Sequence, residues 1–363
     1  MKTQLIIMKN LNFTSFADVP NLQEWIKTAQ NFKKNPLFHD DFGKGKTLGL
    51  LFFNPSLRTR LSTQKAAMNL GMNVMIMNVQ QDGWTIEMED GTVMNQNSQE
   101  HIKEAAGVIS QYCDIIGVRT FASLTDKKGD YEEKILQKFI KHALVPVISL
   151  ESATAHPLQS FADVLTIEEF REKSNTESNT ESNTESNTES NTESNTKSNL
   201  TKKPKVVLSW APHPKALPQA VPNSFVDWVK NTDSELVIAC PKGFELNPEY
   251  TKGVSTTHNQ EEAFRNADFI YAKNWSSFSD ENGIYGKIGQ NLEHWIVDGA
   301  KMKLTNNAKF MHCLPVRRNV VVADEVIDSQ NSVVLAQAHN RVYAAQTVLF
   351  NILEKKFGYP MPY

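Results

Sequence analysis

The chain has 363 residues, 40% of them hydrophobic, and a formal net charge of −3. That length predicts about two domains with apolar mass enough to build them, and the charge supplies no basic field for nucleic acid or an anionic membrane. No apolar run of spanning length and no leader-like start occurs, and Cys113, Cys240 and Cys313 are too scattered for a disulfide framework or a CxxC metal site, so a cytoplasmic protein in a reducing compartment is expected.

Residues 48–53 form the first strand-like apolar run, and Asn54 and Pro55 end it. The following SLRTR places Ser56 where a helix N-cap would stand, and apolar residues then recur at Leu61, Ala66, Ala67 and Leu70 until Gly71 supplies a stop. The cluster therefore sits at a strand-to-helix turn. Free backbone N–H groups, the positive end of a helix dipole, and the forked donors of Arg58 and Arg60 suit a phosphate there. A plain N-cap followed by a solvated basic turn fits the same spacing. Just upstream, GKGKT at 43–47 imitates the end of a P-loop, but Asp40 stands where the first glycine is needed and the segment precedes a strand, so it is rejected.

Further runs follow at 74–79, 115–118 and 145–150, then at 206–210, 236–239, 269–272 and 310–313, alternating with helical stretches. This pattern predicts an α/β protein of two αβα domains with mainly parallel sheets. The expected boundaries are 1–160 and 161–339, with a C-terminal helix at about 340–363 packing back on the first domain. Between the halves, after a helix-like stretch at 160–172, SNTE occurs five times from Ser174 to Glu193 and is followed by SNTK. Without an apolar residue, and with glutamates that a helix would stack on one face, residues 174–199 read as a disordered insertion. Once its five glutamates and one lysine are set aside, the rest of the chain is nearly neutral, at about +1.

Ligands of open parallel sheets bind at the carboxyl ends of the strands. Four further polar clusters are read as ending strand-like runs: Val118-Arg119-Thr120-Phe121, His156-Pro157-Leu158-Gln159, His312-Cys313-Leu314-Pro315 and Asn340-Arg341. Each alone fits a satisfied turn residue. Together and in this order with FFNPSLRTR they resemble the aspartate/ornithine carbamoyltransferase family over nearly the whole chain, interrupted only by the SNTE tract.

The resemblance implies that Ser56, the Leu57 backbone, Arg58, Thr59 and Arg119 hold the phosphate of carbamoyl phosphate. It places His156, Gln159, Cys313, the Leu314 carbonyl and Arg341 around the carbamoyl group, and gives catalytic roles to Arg58, His156, Cys313 and Arg341. Trp84 matches a tryptophan that reaches a neighbouring subunit's phosphate site, which implies a homotrimer with shared active sites. No cofactor and no metal are implied. HCLP in place of HPLP argues against aspartate as acceptor, and the absence of an SMG loop argues against free ornithine. The YAKNW stretch and HCLPVRRN resemble the branch acting on N-acylated ornithine, where Glu151, Lys273 and Arg317 match residues that bind the acyl amino acid. The segment 214–225, with Pro218 and Pro222, resembles the proline-rich loop of the succinyl-specific members. The acetyl-specific members carry a lysine where Val321 stands. Gln99 replaces both the Glu of the acetyl members and the Pro of the succinyl ones, but lacks a charge that would repel a succinyl carboxylate. The implied reaction is carbamoyl transfer to N-succinyl-L-ornithine in arginine biosynthesis. N-acetylornithine is the alternative acceptor, and a non-catalytic anion-binding paralogue the alternative of another class.

Overall fold

The computed structural model describes residues 11–182, 203–279 and 285–358. Two parallel sheets form its frame. The four-stranded sheet runs β2-β1-β3-β4, from β1 (Thr47–Phe52), β2 (Asn73–Asn78), β3 (Ile115–Arg119) and β4 (Val147–Glu151). The five-stranded sheet runs β9-β8-β5-β6-β7, from β5 (Lys205–Trp210), β6 (Glu235–Ala239), β7 (Ser255–Thr257), β8 (Phe269–Lys273) and β9 (Lys309–Met311). A two-strand ladder pairs Ile86–Glu87 with Glu100–His101.

Strands covered on both faces read as unbroken apolar runs, and β3, β4 and β8 are buried at every residue. Every expected run is a strand, with ends moved by a residue or two, although β2, at a sheet edge, is only partly covered. The exception to that visibility is β7, whose Ser-Thr-Thr sequence at a sheet edge carries no apolar signal.

Among the described residues, the helices of nine residues or more are α1 (Leu22–Lys34), α2 (Arg58–Asn69), α3 (Ile102–Tyr112), α4 (Lys134–His142), α5 (Pro157–Ser182), α6 (Ala220–Val229) and α7 (Val334–Phe357). Helix α5 starts on a proline, whose missing N–H costs nothing in a first turn, and its residues 157–167 are buried throughout. It packs on β4, α6 and α7. The expected C-terminal helix begins earlier than foreseen, at Val334, packs on α1, α2 and α5, and ends at the left-handed Gly358. Residues 359–363 lie outside the described residues. One apolar core runs through both sheets, and a second, built around Leu51, Val118, Leu136 and Phe139, fills the face beneath α3 and α4.

Two expectations are corrected here. Helix α5 continues through Ser182, so residues 174–182 of the SNTE tract are helical; adding turns to a helix already anchored by packing avoids the nucleation cost that a free segment faces. The rest of that tract, 183–199, lies outside the described residues. The second concerns Ser56: α2 begins at Arg58 with Leu57 at the N-cap position, and no side chain caps it. The first amides of α2 are therefore left without a side-chain acceptor.

Candidate active site

The carboxyl ends of β1, β3, β4, β5 and β8 converge on one cleft of ≈ 910 Å³, lined from the first sheet by Ser56 to Thr59, Arg119, Glu151, His156 and Gln159, and from the second by His213, Lys273 and residues 313–317. Among the described residues, five cationic side chains, Arg58, Arg119, Lys273, Arg317 and Arg341, line it against a single carboxylate, Glu151. The uncapped start of α2 lies on its wall. An anion is the ligand such a cleft suits.

Thr59 is the hub of the phosphate-side geometry. Its buried hydroxyl accepts from Arg119 Nη1 at 3.0 Å and from Arg341 Nη2 at 2.6 Å, so one oxygen holds two guanidinium groups together. Arg341 Nη1 donates to Gln159 Oε1 at 2.8 Å. Burial pushes the Arg341 pKa down to about 10, helped by the charge of Arg119 and opposed by Cys313 and Glu151, so the group stays cationic at neutral pH. Burial also lowers that of Arg58, with Cys313 opposing and Arg119 reinforcing. The Nε atoms of Arg58, Arg119 and Arg341 are buried without partners. Such unspent donors cost on the order of 1–3 kcal/mol each, a penalty an anion would offset.

Glu151 faces the same cluster. A register shift between Val118 and Arg119 sets Arg119 opposite Glu151, and their side chains form an ion pair at 2.7 Å. His156 Nε2 lies 3.5 Å from the same carboxylate oxygen. Burial, and then the charges of Arg341, Arg119 and Lys273, hold the His156 pKa well below its ordinary value, so the ring is neutral, and its Nδ1 is buried without a partner.

Cys313 and Leu314 reach the cleft because the chain leaves β9 after Met311. The His312 amide donates to Gln337 Oε1 at 2.9 Å, the Leu314 amide to His312 Nδ1 at 2.8 Å, and Leu314 takes a left-handed φ of 53°. That turn ends the expected strand two residues early. Across the cleft Lys273 is buried, and Arg317 Nε donates to His213 Nε2 at 3.3 Å. His213 therefore accepts at Nε2, and burial holds its pKa below the ordinary value.

Not every expected residue arrives. Arg60 turns away from the cleft, where its guanidinium bonds Asn78 Oδ1 and covers the Phe52 ring at 4.8 Å. Pro222 is the third residue of α6 and is buried in it, while Pro218 and Val221 line the cleft instead. Trp84 is 49% exposed and donates to Glu100 Oε2 at 2.8 Å. Gln99 is exposed too, its amide bonded to the Thr85 carbonyl, so both lie beside the two-strand ladder and outside their own chain's cleft. His213 was not singled out from the sequence, although its position just past β5 obeys the rule that marked the other clusters. Among the described residues no cluster of His, Cys, Asp and Glu forms a metal site, and no helix is long and apolar enough to cross a membrane.

A two-sheet α/β fold with a cationic cleft at its strand ends defines an anion-binding protein of the open parallel class. Family models for the carbamoyl-P binding domain and the Asp/Orn binding domain of aspartate/ornithine carbamoyltransferases match residues 11–169 and 219–352. An N-succinylornithine carbamoyltransferase of Bacteroides fragilis is 45% identical over 94% of this chain and 98% of its own, and an N-acetylornithine carbamoyltransferase of Xylella fastidiosa is 34% identical over 91% and 96%. A solved N-acetyl-L-ornithine transcarbamylase, a variant with one glutamate replaced by alanine and complexed with carbamyl phosphate and N-succinyl-L-norvaline, superposes with a TM-score of 0.80 at 32% identity, covering 94% of this chain and 99% of that one. This chain belongs to the aspartate/ornithine carbamoyltransferase family.

Proposed function

We propose that this chain transfers the carbamoyl group of carbamoyl phosphate to the side-chain amine of N-succinyl-L-ornithine, giving N-succinyl-L-citrulline and phosphate, as a cytoplasmic step of arginine biosynthesis. The observation that carries the reading is the Thr59 hub, which gathers Arg119 and Arg341 beside the uncapped start of α2. In this reading Ser56, the Leu57 amide, Arg58, Thr59 and Arg119 hold the phosphate. His156, Gln159, Cys313, the Leu314 carbonyl and Arg341 surround the carbamoyl group. Lys273, Arg317, His213, Glu151 and Pro218 meet the acylated amino acid, whose α-carboxylate suits the two cations.

The neutral amine forms a bond to the carbonyl carbon, an oxyanion develops, the carbon–oxygen bond to phosphate breaks, and the amine proton leaves on the phosphate. Donors fixed around that oxyanion are worth about 3 kcal/mol apiece. Orientation of two substrates in one cleft supplies much of the rest.

The succinyl acceptor is favoured over the acetyl one by the higher identity to the Bacteroides fragilis relative, and by Val321, which is buried in the apolar core where the acetyl members are expected to carry a lysine. The test is a ureido-product assay with carbamoyl phosphate and, in parallel, N-succinylornithine, N-acetylornithine and ornithine. Turnover of acetylornithine alone would overturn the acceptor and keep the chemistry; turnover of none would remove the function. Gln99→Glu should lower kcat/KM for N-succinylornithine at least about tenfold while sparing N-acetylornithine, because a like charge set against the succinyl carboxylate is repulsive. Equal effects on both acceptors would remove Gln99 from selection.

Since Trp84 and Gln99 stand outside their own chain's cleft, they serve a neighbouring copy in this reading, and the assembly is a homotrimer with shared sites.

A further inference from the structure

Behind the cleft lies a carboxylate that the proposed chemistry does not use. Asp163 stands on α5 one turn after Gln159, and its side chain is wholly inaccessible to solvent. Two donors converge on one of its oxygens: Gln159 Nε2 at 2.7 Å and Gln337 Nε2, from α7, also at 2.7 Å. Both glutamines are themselves wholly buried.

A carboxylate oxygen bound this way accepts only, so each amide must present its NH2 to Asp163 and its carbonyl in the opposite direction. The two carbonyls have different targets. Gln159 Oε1 receives Arg341 Nη1 at 2.8 Å, and Gln337 Oε1 receives the His312 amide at 2.9 Å, the contact that ends β9 and begins the turn through Cys313 and Leu314. We propose that Asp163 is a positioning residue for carbamoyl transfer: as shared acceptor it fixes the facing of both amides, which aims Arg341 and sets the Cys313–Leu314 turn. The assignment rests on the proposed reaction, since it concerns groups that reading places around the carbamoyl carbon.

No donor lies within hydrogen-bond distance of the other oxygen, Oδ2, but the buried Tyr271 hydroxyl is near enough to interact with the carboxyl group. Burial pushes the Asp163 pKa up to about 7, against the hydrogen bonds from Gln337 and Gln159 and the charge of Arg341. A proton on Oδ2 leaves the accepting oxygen unchanged, so either protonation state performs the task. An asparagine keeps that acceptor in the same place with nearly the same shape. Without any acceptor at 163, each amide is held through its carbonyl alone, by Arg341 or by the His312 amide, and a wrongly turned Gln159 would point NH2 at the Arg341 guanidinium.

The test compares Asp163→Ala and Asp163→Asn in the full chain, with folded fraction followed by circular dichroism and melting. Turnover of N-succinylornithine by the unaltered protein tests the reaction itself. Carbamoyl phosphate affinity by calorimetry tests Asp163 independently of the acceptor. Asp163→Ala should lower kcat per folded site about 100-fold, as a misplacement of reacting groups by about 1 Å can, and weaken carbamoyl phosphate at least about tenfold. Asp163→Asn should stay within about threefold of the parent in both. On a Gln159→Ala, Gln337→Ala background, Asp163→Ala should add less than about threefold, since nothing remains to be turned. A D163N variant as impaired as D163A, or a folded D163A with parental kcat and affinity, would overturn the proposal. So would a full additive loss on the double-alanine background.

Discussion

Arg341→Ala should cut kcat/KM by about 1,000-fold, and Arg341→Lys should restore little of it. The side chain is 5% exposed and uses both terminal nitrogens, one on Thr59 and one on Gln159, while its cationic plane lines the cleft. Loss of one donor to a developing oxyanion accounts for about 3 kcal/mol, or roughly 100-fold. The remainder comes from Thr59 and Gln159, each deprived of a buried partner at about 1–3 kcal/mol. Lysine brings one ammonium where two divergent N–H groups are needed, so it cannot serve both acceptors. Steady-state kinetics on a variant with parental circular dichroism decides the matter. A loss below tenfold would place the transition-state charge elsewhere.

Mixing two inactive proteins should produce an active one. Arg58 lines the cleft of its own chain, whereas Trp84 is exposed on the far ladder, so in a shared site they come from different copies. Trp84→Ala and Arg58→Ala should each abolish most carbamoyl phosphate binding. When the two are unfolded and reassembled in equal amounts, about one quarter of the sites should combine an intact Arg58 with an intact Trp84, by random assembly of a closed ring. Activity should rise from near zero to roughly that fraction of the parent. Verified hybrids that stay inactive would return Trp84 to a role within its own chain.

The strand-end clusters were readable from sequence because a buried parallel strand announces itself by composition, and the residue after it must then be at a sheet's carboxyl edge. What the sequence withheld was direction. The spacing of SLRTR cannot distinguish Arg58, which enters the cleft, from Arg60, which a helical turn sends toward Asn78 and Phe52. Ser56 has the right chemistry for an N-cap, yet the helix begins one residue later, with Leu57 at the cap position and its start on the cleft wall. Pro222 reads as part of a loop, but a proline is equally at home in a helix's first turn. Asp163 sits in a stretch that reads as ordinary helix, because its partners, Gln159 and Gln337, are brought together only when α5 meets α7. In the shared-site reading, Trp84 and Gln99, which lie outside their own chain's cleft, acquire meaning only from a second copy.

The bond from Arg341 to the Thr59 hydroxyl spans 282 positions of the chain. During synthesis at about 5–20 residues per second, the two ends of that bond emerge on the order of 15–60 s apart. A first lobe that folds before residue 341 emerges would carry SLRTR without its distal guanidinium, and would hold carbamoyl phosphate through Arg58, Thr59 and Arg119 alone. Stabilisation by bound ligand grows with the ratio of its concentration to Kd, so it reaches its full value only when the last helix has docked. Shortening the chain before residue 341 should therefore leave a species whose melting temperature responds to carbamoyl phosphate much less than that of the full chain, however well its first sheet is formed.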